Sequence, residues 1–243
     1  MNLRPLWSYY GGKHRISVFY PKPRYRKIRE VFAGSAGYAC RYSDHEVELY
    51  DLNPIVAGLW QYLITVKESE IRSLPAKVED LDALSIPQEA KWLIGFWLSK
   101  GSSRPVKKPS KWMEKEKRMS RGYWGGQVRE RIASQLQYIR HWKVYNQSYE
   151  TAPDDEATWY VDPPYMGDRG KGYKFHKLDY AALGKWCESR KGQVIACEGP
   201  DGNWLPFVPL LEHKSTVPVH GKAVFGKEVI WHRSEKKVGF GLL

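Results

Sequence analysis

The sequence predicts an α/β fold in which a mostly parallel sheet is closed by a C-terminal hairpin and interrupted by a helical insertion. Three observations predict it. Short β-like runs end at small or acidic residues followed by helix signals, a long middle section has helical periodicity, and two late apolar runs are separated by glycines. The 243 residues, 42% of them hydrophobic, are enough for one main core.

Four apolar runs are predicted to be parallel strands. They are residues 28–32, 47–50, 158–161 and 193–197, and they are followed by Ala33, Asp51, Asp162 and Glu198. Ligands of open α/β sheets bind beyond the carboxyl ends of the strands, so a working site is expected at these residues. The hairpin is predicted from residues 215–220 and 228–233, with Gly221 and Gly226 between them.

The middle of the chain is predicted to be helical. One apolar face comprises Ala90, Leu93, Ile94, Trp97 and Leu98, and another comprises Val128, Ile132, Leu136 and Ile139. We therefore expect a main domain formed by residues 1–64 and 152–243, and an inserted helical, basic region at 65–151.

The net charge of +12 favours a polyanionic partner such as nucleic acid. Residues 100–121 contain nine Lys or Arg residues against Glu114 and Glu116, together with Trp112. Basic side chains neutralise phosphates, and nearby aromatic rings can stack on bases. The candidate DNA-binding residues are Lys100, Arg104, Lys107, Lys108, Lys111 and Arg121. A solvated, mobile loop is the alternative interpretation.

The cysteines indicate a reducing compartment. Cys40, Cys187 and Cys197 are too few and too scattered for a disulfide framework, and no zinc-ligand spacing is present, so no metal site is predicted. The first residues lack the apolar run of a signal peptide, and no later stretch has membrane-spanning length. We expect a cytoplasmic protein with no membrane partner.

The sequence Asp162-Pro163-Pro164-Tyr165 directly follows a predicted strand. Two prolines cannot continue a central strand, so the backbone must turn there. The Asp162 carboxylate and the Pro163 carbonyl can then accept from the two N–H groups of an exocyclic amine, and Tyr165 offers an aromatic ring to a flipped base. Such acceptors would stabilise the positive charge that develops as the amine attacks a methyl group. A simple turn between strand and helix is the alternative.

The tetrapeptide resembles the catalytic motif of the N6-adenine DNA methyltransferases of the Dam type (D12 class, alpha-group). Three further stretches resemble motifs of that family in the same order, and residues 228–230 resemble its closing strand more loosely. They are Tyr9-Tyr10-Gly11-Gly12-Lys13, Val31-Phe32-Ala33-Gly34-Ser35-Ala36-Gly37 and Asp51-Leu52-Asn53-Pro54. The resemblance therefore spans most of the chain.

The resemblance implies a Rossmann-like fold of the S-adenosylmethionine-dependent methyltransferases, with S-adenosylmethionine as cofactor. Its cofactor-binding residues would be Tyr9, Lys13, Phe32, Gly34, Asp51 and Asp162. Lys13 would pair with the methionine carboxylate, and Asp51 would hold the ribose hydroxyls, a role that strand-end acids have in dinucleotide sites. Asp51 could instead be a helix N-cap. Ala36 replaces a glycine of the family pattern, which matters if its φ is positive.

The implied activity is site-specific methyl transfer to the N6 amine of adenine in double-stranded DNA. Asp162, Pro163 and Tyr165 would be catalytic, the inserted region would read the target sequence, and a cognate restriction enzyme is a candidate partner in a bacterial or virus-infected cell. The glycine-rich basic loop after Tyr165 either orders over DNA or is a mobile surface loop.

Two alternatives stay open. N4-cytosine methyltransferases modify the same kind of amine with a similar tetrapeptide, and a catalytically inactive DNA-binding module could keep the fold. Methylation of cytosine C5 is disfavoured because no cysteine follows a proline, as that chemistry requires. RNA is a less favoured substrate.

Overall fold

The structure is a computed structural model that describes residues 2–99, 101–110, 123–214 and 225–234. Lys100, Lys111, Arg121 and the predicted strand 215–220 lie outside the described residues. No helix within the described ranges is both long and apolar enough to cross a membrane.

The described strands form one mixed sheet, and most of their pairings are parallel. In chain order they are β1 (Lys27–Glu30), β2 (Glu46–Tyr50), β3 (Lys143–Tyr145), β4 (Ala157–Val161), β5 (Gly192–Glu198), β6 (Val208–Lys214) and β7 (Phe225–Ser234). Their order across the sheet is β3-β2-β1-β4-β5-β7-β6. Only β7 runs antiparallel to its neighbours, β5 and β6.

The four predicted parallel strands are confirmed with small shifts at their ends. The second strand of the predicted C-terminal hairpin, residues 228–233, is confirmed within β7, and its antiparallel partner among the described residues is β6. The predicted first strand, 215–220, is not tested. β3 was not predicted because three residues are too few to show a periodicity. It joins β2 at the edge of the sheet, so the sheet extends into the range 65–151 predicted as the inserted region.

The described part of the chain contains five α-helices. They are α1 (Pro54–Thr65), α2 (Glu68–Ser73), α3 (Gln88–Leu98), α4 (Gly126–Gln135) and α5 (Tyr180–Ser189). Both predicted apolar faces, on α3 and from α4 into the 3-10 turn at Leu136–Tyr138, are buried. The periodicity therefore identified the core-facing side chains correctly.

The middle region shares a core with the sheet domain. Apolar residues of α3 and α4 belong to the same buried cluster as Trp7 and Trp60. The Trp97 indole donates to the Leu6 carbonyl at 2.9 Å, and Arg131 donates to the Pro5 carbonyl at 2.7 Å. These contacts fix the N-terminal segment, which carries Tyr9 and Lys13, against the helices.

The strand order reverses between β1 and β4. From β1 the chain builds outward through β2 to β3, whereas β4 starts the other half of the sheet. A crevice forms at such a switch point beyond the carboxyl ends of the strands, which is where open α/β sheets bind ligands.

Candidate active site

A cleft lies beyond the carboxyl ends of β1, β2 and β4, and its empty space, open solvent included, is about 790 Å³. All the predicted cofactor-binding residues line it: Tyr9, Lys13, Phe32, Gly34, Asp51 and Asp162. Residues separated by more than 100 positions in sequence are thus brought to one place by the parallel strands.

Asp51 ties the glycine-rich loop to the end of β2. One carboxylate oxygen accepts from the Gly34 amide at 2.9 Å and the other from the Asn53 amide at 2.8 Å. Burial raises the pKa of Asp51 to about 6, although both amides act to lower it. Asn53, not Asp51, is the N-cap of α1, because its side chain accepts from the Ile55 amide. The N-cap alternative for Asp51 is therefore wrong.

Two positions of the glycine-rich loop, Ala36 and Gly37, have backbone requirements that favour glycine. Ala36 has a φ of +46°, so the substitution for glycine falls where a Cβ is unfavourable, at a cost of about 1 kcal/mol. Gly37 makes the close approach, since a Cβ there would lie 2.7 Å from the His14 amide nitrogen and 3.0 Å from the Lys13 carbonyl carbon. The loop thereby sets the position of Lys13.

The walls of the cleft beside Asp51 are aromatic and apolar. Tyr9 packs edge-on against Phe96, with ring centroids 5.6 Å apart, and Phe32 packs against Tyr149 at 5.5 Å. Leu52 lines the same cleft and is 43% exposed. An apolar surface next to a buried carboxylate suits a ligand that combines a flat ring with hydroxyl groups.

Asp162 follows β4 and forms an ion pair with Lys13 across the cleft. Lys13 Nζ lies 2.8 Å from Asp162 Oδ1, and both side chains are largely buried. Burial raises the pKa of Asp162 to about 6, since the lowering by Lys13 only partly offsets it and Glu228 adds to it. Burial acts to lower the pKa of Lys13, but Asp162 and Glu228 outweigh it and hold this pKa above its usual range.

The remaining residues of the tetrapeptide stand behind Asp162. Pro163 and Tyr165 are not among the residues that line the cleft, whereas Pro164 is. Tyr180 donates to the Pro164 carbonyl at 2.7 Å, which fixes the turn after β4. Lys13 Nζ lies 4.5 Å from the centre of the Tyr165 ring. A base that stacks on this ring therefore uses the opposite face or displaces Lys13.

The loop after Tyr165 packs over the Tyr9–Lys13 segment. Tyr173 donates to the Tyr10 carbonyl at 3.0 Å, and Ser103 donates to the Gly172 carbonyl at 2.6 Å. Tyr173 and Lys174 line the cleft, so the loop forms part of its wall. Its basic Lys171 is paired with Asp168 at 2.6 Å.

Three buried carboxyl groups around the cleft have no role assigned from the sequence, although Glu198 is one of the predicted strand ends. Glu30 accepts from the Ala39 amide, and burial raises the pKa of Glu30 to about 8. Glu198 accepts from the Trp204 indole and the Met166 amide. Glu228 accepts from the phenols of Tyr20 and Tyr165. The available signal was an acidic residue within or at the end of an apolar strand, where charged side chains are rarely buried without a partner.

Asp162, Cys197 and Glu228 hold their potential ligand atoms within 4.8 Å of one another. The Lys13 ammonium lies against both carboxylates, at 2.8 and 4.0 Å, and supplies the positive charge there.

The described basic candidates lie on the surface and two of them are paired. Lys107 is 2.7 Å from Asp82, and Lys108 is 3.1 Å from Asp80. Arg104 is exposed. Neither lysine lines the cleft, so any phosphate contact they make is outside it.

Comparison of the chain with protein-family models and with curated proteins gives no match.

Proposed function

We propose that this protein is a DNA methyltransferase that transfers a methyl group from S-adenosylmethionine to the N6 amine of adenine. The observation that carries the proposal is the position of Asp162. Its carboxylate lies in the wall of the same cleft that holds the Asp51-bound glycine loop. A methyl donor bound at that loop and an amine held at Asp162 would share one cavity, as direct transfer requires.

The chemistry of the cleft walls suits S-adenosylmethionine. Asp51 can accept from ribose hydroxyls, and Phe32 and Leu52 offer apolar contact to a purine ring. When bound, this cofactor supplies an electrophilic methyl group on a sulfonium centre. The mostly parallel sheet with its closing hairpin supports the Rossmann-like methyltransferase fold implied by the sequence resemblance. The pairing of Lys13 with the methionine carboxylate stays a prediction, since Asp162 already binds Lys13.

Asp162 would act on the amine as an oriented acceptor. Lys13 occupies one of its oxygens at 2.8 Å, which fixes the carboxylate and favours its ionised form. The second acceptor is the Pro163 carbonyl by the sequence prediction, although Pro163 is not among the residues that line the cleft. This carbonyl and the other Asp162 oxygen would accept from the two N–H groups of adenine. These bonds direct the nitrogen lone pair at the methyl group and stabilise the charge that builds on nitrogen.

DNA would approach the open side of the cleft with its target base flipped out. Flipping is needed because the N6 amine is not reachable by such a cleft within a stacked duplex. The basic residues predicted for 100–121 would supply phosphate contacts that do not depend on sequence. The region 65–151 would read the target.

N4-cytosine methylation is the second candidate, because Asp162 and Pro163 could hold that amine equally well. An inactive DNA-binding module is a third. The buried Lys13–Asp162 pair favours an active enzyme, because two buried charges are costly to keep and need a use or compensation.

Product identification tests the proposal. The purified protein is incubated with tritiated S-adenosylmethionine and mixed-sequence duplex DNA, and the digested nucleosides are separated. We expect the label in N6-methyldeoxyadenosine. Label in N4-methylcytosine would favour the second candidate, and cofactor binding without label in DNA would favour the inactive module.

A further inference from the structure

Glu228 is a buried acid on β7, opposite the tetrapeptide that follows β4. Its side chain is almost completely enclosed, so protein groups and not water must offset the cost of burying a carboxylate. Its partners lie on other parts of the chain. The Tyr20 phenol donates to Oε1 at 2.7 Å, and the Tyr165 phenol donates to the same oxygen.

Lys13 links Glu228 to Asp162. Its Nζ lies 4.0 Å from Glu228 Oε1 and 2.8 Å from Asp162 Oδ1. One ammonium therefore stands between two carboxylates and also faces the Tyr165 ring. Without Glu228, the Tyr165 phenol would lose this acceptor. Lys13 would keep Asp162 and the Gly11 carbonyl, which it contacts at 3.2 Å, but would lose its second carboxylate.

We propose that Glu228 is a positioning residue of the methyl-transfer site: it fixes the Tyr165 ring and the Lys13 ammonium at the places from which they face Asp162. The proposal rests on the proposed function for its rate readout. Glu228 acts through these two side chains and does not line the cleft. Its charge also reaches Asp162, and it acts to raise the pKa of that carboxyl.

Apart from Lys13, Glu198 and Glu228 itself, the titratable groups that face Asp162 are neutral near pH 6. Glu30 is largely protonated there, since burial raises its pKa to about 8. The Cys197 thiol and the phenols of Tyr20, Tyr160, Tyr165 and Tyr173 stay neutral because burial raises the pKa of each. Burial, and more weakly the charge of Asp162, raise the pKa of Glu198 on the neighbouring strand β5. Glu198 is present in both the wild type and Glu228→Gln, so it does not account for a difference between them.

Nuclear magnetic resonance of protein carrying ¹³C-labelled aspartate follows the Asp162 carboxyl directly, with Asp162→Asn used to assign the signal. Glu228→Gln keeps an oxygen acceptor for the phenols of Tyr20 and Tyr165 but removes the negative charge. The pH midpoint of the Asp162 carboxyl titration should therefore fall by about one pH unit. Glu212→Gln is the matched control, because Glu212 is a 62% exposed carboxylate on β6 paired with Lys227. It should leave the midpoint unchanged.

Single-turnover transfer at saturating cofactor supplies the second readout. Glu228→Ala removes the acceptor as well as the charge, so transfer should fall about 10²-fold, as misplacement by about 1 Å can cause. Glu228→Gln should retain most of the rate. An Asp162 midpoint that does not move in Glu228→Gln, or equal rates in the wild type and Glu228→Ala, overturns the proposal. The titration gives its answer even if the wild type transfers no methyl group, an outcome that would refute the proposed function separately.

Discussion

Two lysine–aspartate pairs of almost equal length have opposite surroundings. Lys13 and Asp162 are 2.8 Å apart with side chains 9% and 17% exposed, whereas Lys107 and Asp82 are 2.7 Å apart with side chains 73% and 60% exposed. Water screens the second pair, so it contributes little and can exchange partners. The first pair cannot separate without leaving a charge buried and uncompensated.

The difference shows that burial, not distance, determines what an ion pair can do. The buried pair can set the ionisation and orientation of an acceptor, which is a requirement of the proposed chemistry. In the exposed pair, the Lys107 ammonium can leave Asp82 and bind a phosphate instead. Four experiments separate these two roles, beginning with the largest expected effect.

Removing the buried carboxylate tests its role most severely. Asp162→Ala should lower methyl transfer by about 10³-fold, because it removes a charged acceptor that stabilises the transition state. DNA affinity should remain close to that of the wild type, since Asp162 would not contact phosphates. Filter-binding and single-turnover assays measure the two quantities. Transfer at the wild-type rate would refute the role of the buried pair.

Displacing the backbone behind Lys13 tests whether its position matters. The Cβ introduced by Gly37→Ala would meet the backbone of Lys13 and His14, so that segment must move. Transfer should fall about 10²-fold. Gly126→Ala at the start of α4 is the matched control, because nothing lies within 4 Å of its Cβ. Circular dichroism of both variants checks the fold, and equal rates in a folded Gly37→Ala protein would contradict the prediction.

The pH dependence tests the ionisation of Asp162, whose pKa burial raises to about 6. Transfer should rise with pH and reach half its maximum near pH 6, falling about tenfold per unit below it, because the carboxylate is the active form. The linked effect on stability has the opposite sign. A raised pKa in the folded protein stabilises it at low pH, and this contribution is lost as pH rises from about 4 through 6.

Saturating cofactor at each pH keeps Asp51, whose pKa is also about 6, from contributing through binding. A transfer rate that is flat between pH 5 and 7.5 would show that Asp162 does not titrate in this range.

The exposed lysines should affect binding and not chemistry. If Lys107 and Lys108 exchange their aspartates for phosphates, replacing both with alanine should reduce the slope of log affinity against log salt by about 2. Lys227→Ala is a control, since Lys227 is 62% exposed and paired with Glu212 at 2.9 Å. An unchanged slope in the double variant would mean that these lysines keep their aspartates when DNA binds.

Most of the sheet and the cleft could be predicted from local sequence signals. The strands ending near Asp51 and Asp162 are apolar runs followed by turn residues, and the parallel topology brings their ends together. The positive φ of Ala36 could be stated only as a condition, because φ depends on how the loop is tied to Asp51.

The partners of the charged residues could not be predicted. Lys13 and Glu228 are 215 positions apart, and a single charge within a strand does not identify its counterion. The pairing of Lys107 with Asp82 was missed for the same reason. Burial and long-range contacts decide these pairings, and neither is encoded in spacing along the chain.

The most direct test of the central claim is to identify the bond that forms. Duplex DNA with ¹⁵N at adenine N6 is incubated with S-adenosylmethionine carrying a ¹³C methyl group. The isolated nucleosides are examined by mass spectrometry, and nuclear magnetic resonance is used to detect one-bond ¹³C–¹⁵N coupling. We predict a doubly labelled N6-methylated deoxyadenosine in the wild type. A ¹³C methyl group found on cytosine, or on no base although the cofactor binds, would contradict the proposal.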